Sequence, residues 1–371
     1  MKRSALLGAL LAPALAFAFS IAVSALILEL TGYSAFEALR EMWSYGWRRE
    51  SVISALSRAT PLYIAGVAVA IGFRMNLFNI GVEGQYRMAT LFAAWLGAEV
   101  TLPAFLHVPF VVLVGALTGA AYALPIALLK VKRGVHEVIS SIMLNGIAVS
   151  GFAAYLLRNY FQDNDPNSLQ LKTAALAESG RLPSLNRVLG AVGFEVPQGF
   201  DLYGFFVVAI VIGITYGVVV RRTRFGFDLR ASGMNPIAAR WSGVDPNRMI
   251  IVTMLLSGAV AGLIGMADLL GDSYQFDLDF ATGLGFMGIA VALLGRNHPL
   301  GIAGAAFLFG WLDRAGQRLD FIDIPPEIVR IMQGVIVLAV VIAFEVVRRI
   351  DQRRHAAHAA ELGRTAVGAT A

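Results

Sequence analysis

Apolar residues run in long blocks along this chain, and the polar residues are confined to the gaps between them. A helix needs about 20 apolar residues to cross a bilayer. The blocks lie near residues 5–30, 57–73, 84–102, 108–129, 137–157, 202–220, 249–270, 283–294, 299–312 and 328–347. The pattern predicts an all-α polytopic membrane protein with about ten transmembrane helices. The blocks at 283–294 and 299–312 are short for a span.

One stretch breaks the pattern. Residues 73–90 read Phe-Arg-Met-Asn-Leu-Phe-Asn-Ile-Gly-Val-Glu-Gly-Gln-Tyr-Arg-Met-Ala-Thr. Phe78, Ile80 and Val82 alternate with Asn79, Gly81 and Glu83 between two apolar runs. This reads as a tight corner at or inside a membrane boundary, with Gly81 and Gly84 letting the backbone turn. Asn79, Glu83 and Gln85 are too costly to face lipid, so they should face protein or a water-filled path. The corner in one half and the short blocks in the other suggest an inverted repeat, with broken helices near a substrate path. No residue-level repeat is visible.

Lys2 and Arg3 precede a first block too long for a signal-peptide core, so it is read as an uncleaved span. Residues 34–58 mix Trp43, Tyr45 and Trp47 with arginines, which suggests an interfacial helix on the outer face or an exposed loop. Residues 158–200 form an external loop and 221–248 a cytoplasmic one. The membrane domain covers 1–350, and 351–371 is an Ala-rich, mobile cytoplasmic tail. With both termini cytoplasmic, most of the 30 Lys and Arg fall inside, Arg74 and Arg87 among them.

The 221–248 loop contains a local helix signal. Asn235 is a good N-cap and Pro236 suits the first helical position. Ile237, Ala238, Ala239, Arg240 and Trp241 continue the helix. Arg240 suits its negative end, and Gly243 can close it in the left-handed conformation. Asp245 and Pro246 then repeat the device. So short and stiff a helix either presses into a partner's groove or merely shapes the loop. Further along, Glu137 opens span five, where the helix dipole favours it. Asn145, two turns in, is either an interhelical hydrogen bond or part of a polar path.

Composition narrows the function classes. Only 15% of the 371 residues are charged and 57% are hydrophobic, against roughly 25% charged in soluble domains. The net charge of +5 sits in short loops, with no basic stripe interleaved with aromatics, so nucleic acid is not an expected partner. There is no Cys, and no His pair has zinc-ligand spacing, so no metal site is expected. Gly283-Leu-Gly-Phe-Met-Gly288 matches a dinucleotide fingerprint in letters but lacks a preceding strand. Close helix packing explains it better, as it does the pairs Gly115/Gly119 and Gly258/Gly262. No P-loop and no nucleophile–base constellation occurs, so the chain is not expected to be an enzyme. A stand-alone secondary transporter would need buried acids for ion coupling, and Asp268 is the candidate.

Four blocks carry a resemblance. They are Asn76-Leu-Phe-Asn-Ile-Gly-Val-Glu-Gly-Gln85, His136-Glu-Val-Ile-Ser-Ser-Ile-Met-Leu-Asn145, Ala231-Ser-Gly-Met-Asn-Pro-Ile-Ala-Ala-Arg240 and Gly288-Ile-Ala-Val-Ala-Leu-Leu-Gly-Arg-Asn297. In these the chain resembles the permeases of ATP-binding-cassette importers, in the branch for branched-chain amino acids, ribose-type sugars and nucleosides. The first block is most similar to the nucleoside (simple-sugar) members. It departs from the family in having Asn76 where glycine is expected, and Gly146 after Asn145 where an aromatic is expected. The second change would widen the path.

The resemblance implies a multi-pass subunit in the cytoplasmic membrane of a prokaryote. It would pair with a second related permease and dock a separate ATPase that binds ATP-Mg, while an external binding protein or lipoprotein delivers the ligand. The chain itself would need no cofactor. By this analogy Gly233, Asn235, Pro236, Ala238, Ala239, Arg240 and Gly243 belong to the coupling element. Phe78, Asn79, Glu83, Gln85 and Asn145 would lie near the translocation path, although Glu83 equally suits a structural bond to neighbouring backbone. The implied substrate is a nucleoside or related sugar. Branched-chain amino acids and ribose-type sugars are the alternatives.

Overall fold

The computed structural model describes residues 18–163, 170–325 and 327–340, with 342 and 346. The expected mobile tail and the first half of the first predicted span lie outside these residues. The described chain is helical, and the chain divides into two compact units, Gly46–Arg314 and the terminal segments on either side of it.

The terminal unit holds α1 (Ala18–Leu30) and α2 (Ala35–Gly46), and later α16 (Ile328–Val340). The Glu29 carboxylate accepts the Ala35 amide at 2.9 Å and so sets the turn between α1 and α2. Arg318 pairs with Glu41 at 3.4 Å and lies over the Phe321 ring.

The larger unit begins with α3 (Arg49–Phe73), α4 (Val82–Glu99), α5 (Ala104–Arg133) and α6 (Glu137–Ile147). α6 continues through wide π-type turns at Ala148–Phe152 and Leu157–Phe161, with the short α7 (Ala153–Leu156) between them. After a loop carrying α8 (Asn186–Ala191) come α9 (Phe205–Arg222), α10 (Arg224–Met234) and α11 (Pro236–Trp241). α12 (Pro246–Ala261), α13 (Met266–Gly271), α14 (Leu284–Leu294) and α15 (Pro299–Gly316) complete it.

Every predicted apolar block coincides with a helix among the described residues. α3, α5, α9 and the α12–α13 pair are long and apolar enough to cross a membrane on their own; α1, α6, α14 and α16 are shorter apolar helices. α4 carries Glu83, Arg87 and Glu99, yet every residue from Gly81 to Leu91 is buried. A polar helix can sit at this depth because protein, not lipid, surrounds it.

Several expectations need correction. The predicted interfacial segment 34–58 is split, because Arg49 already starts the long α3. Span five runs past Leu157 to Phe161. Span seven is interrupted at Gly262–Gly265, where Gly265 lets the backbone approach Thr90 of α4. The long loop after span five is folded onto the molecule. Its Thr173 amide donates to Phe276 O at 2.9 Å, and Leu176 N to Tyr274 O at 2.8 Å. Arg87 is not a loop cation but a buried residue of α4.

The two small-residue pairs meet each other. A β-carbon on Gly115 would lie 3.1 Å from Gly262 O, and one on Gly119 would lie 2.8 Å from Gly262 Cα. Without a hydrophobic drive between helices in lipid, such close backbone approach is what holds α5 to α12. Gly119→Leu is expected to cost about 3 kcal/mol or more by overpacking. Gly304→Leu, where nothing lies within 4 Å, should cost less than about 0.5 kcal/mol. Thermal unfolding of the two variants in detergent checks the contrast.

Candidate functional site

The corner between α3 and α4 turns at Asn76, not at the glycines. Asn76 has φ of 59°, in the left-handed region that Asn tolerates better than most residues. This explains why Asn can stand where the family pattern expects glycine. Gly81 has an ordinary helical φ of −65°, and Gly84 lies inside α4. Their small size serves close approach instead. A β-carbon on Gly84 would lie 3.0 Å from Asn145 Oδ1, and one on Gly81 would lie 2.8 Å from Gln85 Nε2.

The polar residues of the corner are wired into four other helices. Asn79 is fully buried. Its Nδ2 donates to Gln85 Oε1 at 3.0 Å and to Ser257 Oγ on α12 at 2.9 Å. Its Oδ1 accepts from the Gly81 amide and from Gln85 Nε2, both at 3.1 Å. The Ser257 hydroxyl in turn donates to Ala68 O of α3 at 2.7 Å. Asn145 of α6 accepts the Gly84 amide at 2.9 Å and donates to Ile80 O at 2.7 Å. The Glu137 carboxylate, buried at the start of α6, accepts the Phe78 amide at 3.2 Å and pairs with Lys130. The helix dipole alone therefore does not account for Glu137.

Glu83 caps a helix 200 residues away. Its carboxylate accepts the Gly283 amide at 2.7 Å and the Gly285 amide at 2.9 Å, both at the N-terminus of α14. The first turn of a helix has amides without intrahelical partners, and a carboxylate there also complements the dipole. Gly283 is left-handed at φ 86°. A β-carbon on Gly285 would strike the Glu83 backbone, and one on Gly288 would lie 2.6 Å from Ala65 Cβ of α3. The glycines that mimic a dinucleotide fingerprint are thus packing glycines.

Three residues of this centre escape a sequence reading. The Tyr86 hydroxyl shares its one proton between Glu83 and Ala281 O. Arg87 donates to the carbonyls of Phe280 and Leu278, both at 3.2 Å. At the other end of α14, Arg74 binds Tyr216 at 3.2 Å and Asn297 O. For Arg87 the available signal is a charge inside an apolar block, which the basic-loop count obscures; Tyr86 and Arg74 carry no local signal of their partners.

Phe78 and one face of α6 point outward. Phe78 is 37% exposed and its ring lies 4.9 Å from that of Phe73. Gly146 is exposed with nothing within 4 Å of a β-carbon, so the missing side chain leaves a notch on the outer face of α6. Ile139, Met143 and Ile147 are exposed on the same helix. Asp268 is half-buried near Arg58 and Asp272, and Arg58 is paired with Asp313.

In the 221–248 loop, Asn235 Oδ1 accepts the Ile237 and Ala238 amides at 3.0 Å, and Pro236 opens α11. Arg240 sits in its last turn and Gly243 is left-handed at φ 82°. The Val244 amide closes the end on Ala239 O at 3.0 Å. Ala239 is buried, whereas Ala238 and Arg240 are exposed. Ile237 is 72% and Trp241 88% exposed. A second helix, α10, precedes it, capped by Thr223, whose Oγ1 accepts the Gly226 amide at 3.1 Å. Gly233 presses α10 on the corner, since its β-carbon would lie 2.8 Å from Arg74 O and Met75 Cα. Leu229 of α10 shares a buried cluster with Met75 and Leu77 of the corner.

The family described as "Branched-chain amino acid transport system / permease component" matches residues 51–341. The chain belongs to this family. This permease is 33% identical over 342 residues to the guanosine ABC transporter permease protein NupP of Bacillus subtilis, covering 91% of this chain and 94% of that one. It is 34% identical over 284 residues to the glucose ABC transporter permease protein TsgB13 of Haloferax volcanii, covering 76% and 74%. It is 29% identical over 341 residues to the nucleoside ABC transporter permease protein NupB of Lactococcus lactis, covering 90% and 91%. Bacillus subtilis and Lactococcus lactis each also hold a second, more distant permease relative, 27% and 26% identical. No solved structure matches the permease.

Removing the Glu83 carboxylate leaves the Gly283 and Gly285 amides without their acceptor, while the Tyr86 hydroxyl keeps Ala281 O. Glu83→Ala is expected to destabilise the permease by about 3 kcal/mol. Hydrogen exchange should show the amides of Gly283 and Gly285 losing protection, while the amides of α5 keep theirs.

Proposed function

We propose that this chain is the membrane permease subunit of an ATP-driven importer that moves a nucleoside, or a related sugar-bearing small molecule, across the cytoplasmic membrane. The reading for nucleosides rests on the guanosine and nucleoside relatives, which align over nine-tenths of the chain. The glucose relative aligns over a shorter stretch and supports a sugar as the second reading. Two different permease relatives in each of two bacteria support a heterodimer of related permeases. The ATPase that binds ATP-Mg is a separate subunit, and a receptor outside delivers the ligand. Both termini lie in the cytoplasm.

The single observation that carries the coupling role is α11, a capped helix with its apolar side chains turned out. Ile237 and Trp241 would insert into a groove of the ATPase. Closure of the ATPase pair then moves α11, and α10 transmits the motion to the corner through Gly233. In this reading Phe78 and the outer face of α6 line the path. Asn79, Glu83, Gln85 and Asn145 stand behind it and hold its wall.

The test is uptake of radiolabelled nucleoside by proteoliposomes holding the permease, its second permease, the ATPase and the receptor. Uptake should need ATP and every subunit. Trp241→Ala should leave the permease folded yet weaken ATPase docking by about tenfold or more, as loss of a buried aromatic anchor does. Accumulation driven by this chain alone on an ion gradient would defeat the proposal.

A further inference from the structure

Away from the corner, α3, α9 and α15 enclose a cavity of about 900 Å³. Its lining follows one stripe of α9, from Phe206 through Ile210, Ile214 and Val218 to Arg221 and Arg222. Those 15 residue steps extend about 22 Å along a helix, more than the roughly 15 Å of one leaflet's hydrocarbon, half of about 30 Å. The walls are mainly apolar, with Phe206 and Phe307 among the aliphatic residues and Thr60 and Tyr63 of α3 as polar points, except at one end. There Arg221, Arg222 and His298 converge, and no Asp or Glu is among the lining residues. Both arginines are exposed, and no acidic partner is found for them among the described residues. Burial, and then the neighbouring Arg221 and Arg74, hold the His298 imidazole below its ordinary range. The positive field at this end is therefore not neutralised within the described chain.

We propose that this groove is a binding site for an anionic phospholipid, with an acyl chain along the α9 stripe and the headgroup phosphate on Arg221 and Arg222. An apolar groove this long would not stay filled with water, which needs polar partners. Basic residues at one end of an interhelical groove fit a lipid phosphate, which guanidinium binds in bidentate fashion. The proposal is independent of which solute the permease carries.

The experiment uses the full-length chain purified in detergent and titrated with phosphatidylglycerol or phosphatidylcholine, read by native mass spectrometry and thermal unfolding. Phosphatidylglycerol should be retained and should raise the melting temperature, and phosphatidylcholine should do so about tenfold more weakly. Arg221→Gln with Arg222→Gln should remove that preference without lowering the melting temperature of the lipid-free chain. Filling the groove with Ala303→Trp should abolish retention of both lipids. Because the chain has no Cys, Ala303→Cys with a photoactivatable thiol label then identifies the occupant in vesicles. Cross-linking to lipid is expected. Equal retention of the two lipids, an unchanged preference in the double variant, or cross-linking to polypeptide would each overturn the proposal.

Discussion

A carboxylate placed among membrane-buried helices must find donors, or its desolvation outweighs what packing returns. Glu83 finds them in the amides of Gly283 and Gly285 and in the Tyr86 hydroxyl. The bargain is mutual. α14 starts in protein with its first amides unpaired by its own turns, and Glu83 is what satisfies them. The geometry then dictates neighbouring residues. Gly283 must take a left-handed backbone, Gly285 must lack a side chain to approach α4, and Gly288 must let α3 close in. Arg87 and Tyr86 complete the joint by holding the carbonyls that precede α14.

The same logic runs through the corner. Once the backbone turns at Asn76 in the left-handed region, the amides of Phe78, Gly81 and Gly84 and the carbonyl of Ile80 take side-chain partners in place of helical ones. Glu137, Asn145 and Asn79 supply them. Glu137 and Asn145 reach the corner from α6, and Asn79 is itself anchored to Ser257 of α12, which donates to Ala68 O of α3, so the corner is fixed only when α3, α4, α6 and α12 are together. α10 then rests on this fixed point through Gly233 and Leu229. A push on the loop after α9 meets a stiff element and has little slack to absorb it.

How much of this the chain discloses depends on the range of each interaction. The apolar blocks were legible because helix length and lipid thickness match within one segment. α11 was legible residue by residue, since Asn235, Pro236 and Gly243 act on neighbours two to four positions away. α10 was missed because its only local mark is Thr223 before Gly226, weak beside the stronger cap that follows. The sequence points to Gly81 and Gly84 for the turn because glycine serves two purposes, positive φ and close approach, and composition cannot separate them. Arg87 was counted with loop charges because its carbonyl partners lie about 190 residues away. The pairing of Glu83 with α14 has the same cause: the two ends of a long-range bond carry no shared local signal.

The saturation of the corner bears on how a permease of this kind selects its solute. Asn79 uses both amide protons and accepts two bonds from protein, Gln85 and Asn145 each donate and accept within it, and Glu83 is engaged by the Gly283 and Gly285 amides and the Tyr86 hydroxyl. A solute that used them would have to break bonds that hold α14 and α6 in place, and such bonds are costly to leave unmade in a low dielectric. Transport, however, needs a path that binds weakly enough to release. In the proposed path, a wall whose polar groups are held by protein, with aromatic and aliphatic side chains such as Phe78 and Met143 toward the solute, would meet that need. Discrimination between bases or sugars would then fall to the receptor and to the facing permease, and the polar corner would set the shape of the passage, not its affinity.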